Sequence, residues 1–389
     1  MYSSIGLMKI KTILNICLVF VPLPIIGKFL GLSPVFIFVT ACLGIIPLAA
    51  IMGRATESLA EKAGIGLSGL INATFGNACE LILAFVALQA GYVDVVKASL
   101  TGSIIGNVLL VLGGSMLVGG WRYRKQKFDR RAATAAATLL ALAAISLTVP
   151  AVFHYSQFWQ LQGVSEIIGQ GQQKLAGKEI ELALAIAAVQ LLTYVLSVYF
   201  SLQAPAKFQH PHKSINASII EPLQSKEKTT KDHGALWRQI RWPLCVLFVS
   251  AIMVAVLSEY LVTTLAAGAE MLHLNKIFIG VILVAIIGNA AEHSTAVLMA
   301  WKNNMNLAIN IALSSGAQIA LFVAPVIVFA GYIMGKPIDL RFNELELLSI
   351  IVSVIILAFI ATDGECNWLE GVQLLAVYAI LGAGFYFCG

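Results

Sequence analysis

Charge is scarce in this chain. Of its 389 residues only 12% are Asp, Glu, Lys or Arg, against about a quarter in an ordinary soluble domain. That scarcity excludes the two or three water-soluble domains that such a length would otherwise suggest. The six cysteines (Cys17, Cys42, Cys79, Cys245, Cys366 and Cys388) form no CxxC pair, which argues against a disulfide framework, a zinc ribbon or a thiol-redox motif. No small-x-small cleavage site follows Lys9 and Lys11, whereas Pro22, Pro24 and Lys28 do, so the N-terminus reads as an uncleaved first helix. There is no HExxH and no mid-span aspartate pair or Ser/Lys dyad. Glu292 and His293 are adjacent and would point about 100° apart on a helix, unlike paired metal ligands. An intramembrane enzyme is therefore disfavoured. The net charge of +5 resides in short connections, and no nucleic-acid partner is expected.

What is present is apolar. Hydrophobic residues make up 59% of the chain and the mean hydropathy is +0.87. Apolar runs such as 35–51, 132–149, 277–287 and 347–361 recur along its length, and a spanning helix needs about 20 mostly apolar residues. The expected fold is an all-α integral membrane protein with membrane lipid as its surroundings. Eleven transmembrane helices are expected, near 12–30, 34–54, 66–90, 93–120, 132–152, 180–203, 243–266, 275–300, 306–333, 345–362 and 369–388. The connection 122–131 holds six Lys or Arg against one Asp, and 204–241 holds seven against three acidic residues. Positive loops stay cytoplasmic, which puts the N-terminus inside and the C-terminus outside. The expected division is an N-terminal helix in 1–32, five helices in 33–203, a cytoplasmic basic linker in 204–241 and five helices in 242–389. The linker carries Pro205, Pro211, Pro222, His210, His212 and His233 and reads as a connector. The Gln- and Gly-rich stretch 153–178 reads as a long loop on the opposite side.

One motif occurs twice. Gly76-Asn77-Ala78-Cys79-Glu80 reappears as Gly288-Asn289-Ala290-Ala291-Glu292, 212 positions later, and the same shift places Ser103 on Ser315. An odd number of helices per copy inverts the second copy in the membrane, an architecture of alternating-access transporters whose site lies at the midplane. Asn77 and Glu80, like Asn289 and Glu292, share a helix face with small residues around them. An ionised carboxylate in hydrocarbon costs at least about 2.5–3.5 kcal/mol, so it persists where a cation or proton neutralises it. No basic residue lies mid-span near either glutamate. Two glutamates offer hard oxygens suited to Ca²⁺, and Gly76 and Gly288 are places where the helices can break and expose carbonyls. One helix further on, Ser103 with Asn107, and Ser315 with Gln318, add neutral oxygens. Interhelical hydrogen bonding alone is the competing role for those four. Gly106, which the shift places on Gln318, has no side chain, so the two sets are unequal.

These residues resemble the paired repeats of the calcium/proton exchanger family. GNACELILAFVAL, GNAAEHSTAV and LSSGAQIALFVAPVIV carry the resemblance, with PLAAIMGRATESLAE at 47–61 and ASLTGSIIGNVLLVLGG at 98–114. It covers nearly the whole chain. It implies Ca²⁺ extrusion or sequestration driven by a proton gradient, with Ca²⁺ and H⁺ as transported ions, no cofactor and no enzymatic activity. By the same resemblance Glu80 and Glu292 would alternate between protonated and Ca²⁺-loaded forms, supported by Asn77, Asn289, Ser103, Ser315 and Gln318. Glu57 and Glu259 would serve a proton path or gate, with solvated charge at a helix end as the alternative. The basic linker departs from the acidic, calcium-sensing helix of many members, so that function is not carried over. A sodium/calcium exchanger of the same fold, and a passive cation channel, are the remaining alternatives. Selectivity among divalent cations and a homo-oligomeric state stay open, as does the choice between a prokaryotic cytoplasmic and a vacuolar or other internal membrane.

Overall fold

The protein is described by a computed structural model covering residues 16–63, 65–161, 168–203 and 233–388. After a 3₁₀ turn at Leu18–Phe20, α1 (Leu23–Phe29) and α2 (Pro34–Ala63) lead into α3 (Ile65–Phe75) and α4 (Ala78–Gln89). Helix α5 (Val93–Tyr123) is followed by α6 (Arg130–Leu161) and α7 (Ile168–Gln203). The second half comprises α8 (His233–Met271), α9 (Lys276–Gly288), α10 (Ala290–Trp301), α11 (Met305–Ile333), α12 (Glu344–Asp363) and α13 (Trp368–Cys388). Among the described residues eight helices are long and apolar enough to cross a membrane, and the pair α9–α10, bent by 63°, makes a ninth candidate.

Local chemistry fixes several boundaries. Helix α2 opens on Pro34, whose missing N–H costs nothing in a first turn. Helix α12 begins with a capping box between Asn343 and Glu346 and stops at Gly364, which has φ 72°. In the most apolar stretch of each helix, 83% of α5 and 72% of α11 is buried, but only 22% of α7. Helices α5 and α11 are therefore the core, and α7 lies outside it. Val189, Leu192, Leu196 and Phe200 of α7 stay exposed, as side chains facing lipid should be. Small residues allow the core helices to touch. A methyl on Gly102 of α5 would collide with the Val281 carbonyl of α9, and one on Gly280 would come within 2.6 Å of Ala98 Cβ. Without a hydrophobic drive between helices in lipid, such close backbone approach supplies the packing energy.

Three expectations are corrected. The stretch 153–178 is mostly helical, because α6 continues to Leu161 and α7 starts at Ile168. Its Gln residues are good helix formers despite being polar. Helix α8 starts at His233, inside the segment expected to be linker, while 204–232 with His210 and His212 lies outside the described residues. The described part of the first apolar helix is Leu18–Phe29, and its expected start at 12–15 also lies outside the described residues. Finally, the fold is not purely helical. β1 (Lys125–Lys127) and β2 (Glu365–Asn367) pair antiparallel with Lys125 opposite Asn367, Gln126 opposite Cys366 and Lys127 opposite Glu365.

Candidate cation site

Both copies of the repeated motif fall on a break in a helix. Asn77, between α3 and α4, has φ −96° and ψ 19°. Asn289, between α9 and α10, has φ −93° and ψ 9°. Both lie in the sparsely allowed bridge region, so the same five-residue pattern produces the same local geometry twice. Glycine precedes each break, and at Gly76 the reason is steric. A Cβ on Gly76 would collide with the Asn72 carbonyl, and one on Gly288 would sit 3.5 Å from Glu80 Cγ and 3.7 Å from Glu80 Oε1. The bare Gly288 backbone thus lies directly against the glutamate of the other half.

Each break starts a new helix, and the glutamate sits in its first turn, where the helix dipole stabilises an anionic side chain. Around the glutamates lies a buried amide and hydroxyl network. Asn77 Nδ2 donates to Gln318 Oε1 at 2.6 Å. Asn289 Nδ2 donates to Ser103 Oγ at 2.9 Å and to Ala285 O at 2.9 Å. Asn107 Nδ2 donates to Ser315 Oγ at 2.9 Å and to Asn289 Oδ1 at 3.3 Å. Asn77, Asn107 and Asn289 are at most 1% exposed. Each break asparagine is therefore tied to polar residues of the other half. Buried carboxylate oxygens Glu80 Oε2 and Glu292 Oε2, with Asn107 Oδ1, accept no hydrogen bond. Among the described residues neither glutamate forms an ion pair. Glu80 is close enough to Glu292 for the two charges to interact.

A buried oxygen without a donor carries a desolvation penalty of about 1–3 kcal/mol, more when charged, and a bound cation or proton removes it. No group of three or more His, Cys, Asp or Glu side chains is placed to hold a metal ion among the described residues. A cation held here would therefore meet two carboxylates, amide oxygens and backbone carbonyls, hard ligands appropriate to Ca²⁺. Asn107, expected only to accompany Ser103, bridges the two halves. Other expected residues are not in the network. Glu57 and Glu259 are exposed on α2 and α8, and His293 is half-buried on α10 without a hydrogen bond into the network. Gly53, one turn before Glu57, faces Ala291 Cβ at 3.7 Å, so the end of α2 runs beside the first turn of α10.

A nearly all-helical fold with eight or nine apolar spans among the described residues defines the class of multi-pass membrane transporters. The chain belongs to the sodium/calcium exchanger protein family, whose pattern matches residues 33–203 and 242–387. It is 45% identical over 374 residues to a Ca²⁺/H⁺ antiporter of Aphanothece halophytica, covering 95% of both chains. It is 42% identical to a Ca²⁺/H⁺ antiporter of Synechocystis sp. (strain ATCC 27184 / PCC 6803 / Kazusa), covering 96% of both. The solved structure of native YfkE superposes with a TM-score of 0.77 at 37% identity, covering 96% of this chain and 99% of that one.

Proposed function

We propose that this protein is a secondary active antiporter that exchanges Ca²⁺ for protons across a membrane by alternating access. Glu80 and Glu292 are the pair that is protonated in one leg of the cycle and Ca²⁺-loaded in the other. The observation that carries this reading is the pair of buried carboxylate oxygens, Glu80 Oε2 and Glu292 Oε2, that no hydrogen-bond donor among the described residues satisfies. Two negative charges balance one Ca²⁺ or two protons, so the ligands exclude each other and binding one releases the other. Asn77, Asn289, Ser103, Ser315, Gln318 and Asn107 hold the carboxylates apart from water and offer neutral oxygens. Gly76 and Gly288 permit the breaks that direct backbone carbonyls inward. The empty, doubly ionised carrier would place uncompensated charge at the bilayer centre, which disfavours reorientation without cargo and couples the two fluxes.

Eleven spans in two inverted five-helix repeats, with the N-terminus and the basic connections cytoplasmic, complete the reading. Several features recurring at the 212-residue shift support it. The breaks fall at Asn77 and Asn289. The half-helices end on left-handed residues, Gly91 with φ 85° and Asn303 with φ 62°. Each next helix contains a π-helical stretch, at Gly106–Val111 and Ile319–Val323. Glu57, one turn beyond the Gly53 that packs on Ala291 of α10, and Glu259 of α8 serve a proton path or gate. A prokaryotic cytoplasmic membrane is the proposed location. The test is uptake of radioactive calcium into proteoliposomes under an imposed pH gradient, with and without Na⁺. Uptake that needs the pH gradient and ignores Na⁺ supports the reading. Uptake driven by Na⁺ alone would replace it with sodium/calcium exchange.

A further inference from the structure

The two glutamate-bearing half-helices end alike. In α4, Tyr92 N donates to Ala87 O at 2.9 Å and Gly91 N to Leu88 O at 2.9 Å; in α10, Asn304 N donates to Met299 O at 2.9 Å and Asn303 N to Ala300 O at 3.0 Å. These paired bonds around a left-handed residue form a Schellman motif, which satisfies some of the last carbonyls of a helix and leaves the final one unpaired by the backbone. Here the remaining partners come from the other half of the chain.

For α10 they come from the connection after α5. Gln126, at 2% exposure, donates through Nε2 to Ala300 O at 2.9 Å and to Asn303 Oδ1 at 3.0 Å. Arg122 reaches Trp301 O at 3.5 Å and lies over the Trp301 ring at 4.6 Å. Asn306 Oδ1 accepts from Asp129 N at 2.5 Å. The ribbon β1–β2 fixes Gln126 between its neighbours, and Gly119 supplies the bare surface against which its amide packs. For α4 the partner comes from the connection after α11. Lys336 Nζ donates to the carbonyl of Gln89, the last residue of α4. Lys336 is delivered there by a third Schellman motif, in which Gly335 has φ 70° and Lys336 N donates to Gly331 O at 2.8 Å. Gln89 and Trp301 are themselves 212 positions apart, so a cation from the opposite half reaches the last carbonyl of each half-helix. A positive group there also complements the helix dipole.

We propose that Gln126 with Arg122, and Lys336, are reciprocal positioning residues for cation exchange. Each half of the molecule holds the C-terminal end of the half-helix whose first turn presents the other half's glutamate. The half-helices are only 12 residues long and start at a break in the helix, so a loose far end lets the glutamate move away from its counterpart. The two clamps differ. The Gln126 clamp is buried, multiply bonded and backed by a ribbon, whereas Lys336 acts alone at the surface. The glutamate of α10 is thereby held more firmly than that of α4. This inference rests on the assignment of Glu80 and Glu292 as the ion-binding pair.

Calcium uptake against calcium concentration in proteoliposomes tests it, with melting temperatures recorded in detergent for every variant. Lys336→Ala is expected to raise the KM for Ca²⁺ about tenfold, the scale at which outer-shell supports of ion ligands act, with a smaller change in maximal rate and an unchanged melting temperature. Lys336→Arg is expected to restore the KM, because a cationic donor returns to Gln89. Gln126→Met, of similar volume but lacking the amide, is expected to raise the KM further. Should Gln126→Met fail to fold, the Lys336 pair decides the matter. An unchanged KM in folded Lys336→Ala would overturn the proposal. So would a failure of Lys336→Arg to rescue it. Glu80→Gln and Glu292→Gln run in parallel separate the two readings. If they retain exchange, the ion-site assignment falls. If they lose it while Lys336→Ala behaves as wild type, only the clamps fall.

Discussion

The two halves of this protein contain the same break, the same asparagine geometry and the same helix ending, yet they surround their glutamates differently. Asn289 is bonded to Ser103 and to Asn107, both in α5. Asn77 is bonded to Gln318 in α11. The shift that matches Ser103 with Ser315 leaves Gln318 opposite Gly106, so the second-half amide that bonds Asn77 has no counterpart in the first half to bond Asn289. Asn107, one residue later, fills that role from a different register. The pairing of a break amide with a polar residue across the centre is retained while the residue that supplies it changes. The carboxylates need two-fold charge at one place, and the neutral groups need only to keep them there.

That comparison breaks most severely at the carboxylates. Glu80→Gln and Glu292→Gln are each expected to abolish Ca²⁺ exchange in proteoliposomes with the fold intact by circular dichroism and gel filtration, since one remaining carboxylate cannot balance Ca²⁺. Near-normal exchange by either would show that the halves do not contribute one charge each.

Gly102 provides the next largest effect. Ser314 occupies the matching position in the second half, but in the first half a Cβ would meet the Val281 carbonyl. Gly102→Ser is therefore expected to destabilise the protein by about 1–3 kcal/mol, the cost of overpacking, read as a lower melting temperature in detergent. The reverse change, Ser314→Gly, is expected to be milder, because Ser314 is only half-buried. Equal effects would mean that the two helix contacts are equivalent after all.

The neutral ligands rank below. Asn107→Leu strips the bonds to Asn289 and Ser315, and Gln318→Leu strips one bond to Asn77. A buried polar group left without its partner costs about 1–3 kcal/mol. Asn107→Leu is accordingly expected to weaken the apparent Ca²⁺ affinity more than Gln318→Leu, measured by calcium-dependent uptake. The opposite order would place the ion nearer the first break.

How much of this was legible in the residues follows from where the information lay. The repeated GNAxE stretches, and the glycines that let the helices break, were readable because a buried carboxylate must be neutralised and a bare backbone must accompany a close contact. The core position of α5 and α11 was less visible, since nearly every helix is apolar. The ribbon was not readable. Lys125-Gln126-Lys127 and Glu365-Cys366-Asn367 carry no alternation, and their pairing joins segments 240 residues apart. Residues 153–178 read as a loop because their polarity hides the helical period, although a helix can extend beyond the membrane with polar side chains. Glu57 and Glu259 were implied by the family resemblance alone, and exposure separates them from Glu80, which is 8% exposed. Gln126 and Lys336 gave no signal at all, because a polar residue in a loop reveals its partner only once the chain is folded.

The smallest effect is expected at the ribbon's surface. Lys125 Nζ lies 2.7 Å from Glu365 Oε1, with both side chains largely exposed. The hydrogen bond and then the charge of Lys125 hold the Glu365 carboxyl below its ordinary range, and the same contact raises Lys125. The stabilisation from Glu365 is complete above the ordinary carboxylate range and is lost as pH falls through its lowered pKa. That from Lys125 is complete below the ordinary lysine pKa and is lost as pH rises through its raised one. Solvent and salt screen such a pair, so Lys125→Ala is expected to leave melting temperature and exchange at wild-type values near neutrality. A marked loss would move the ribbon's contribution from Gln126 to the exposed ion pair.

The claim that Ca²⁺ and protons share Glu80 and Glu292 is tested most directly by counting protons. Calorimetric titration of the detergent-solubilised protein with Ca²⁺, in buffers of different ionisation enthalpy, yields the number released per ion. The titration belongs to the carboxylate pair and not to either residue alone. At a pH low enough for both carboxyls to be protonated before calcium binds, release of about two protons per Ca²⁺ is expected from charge balance. Calcium binding with no proton release, at a pH where exchange is active, would contradict the shared site even in a protein with this fold.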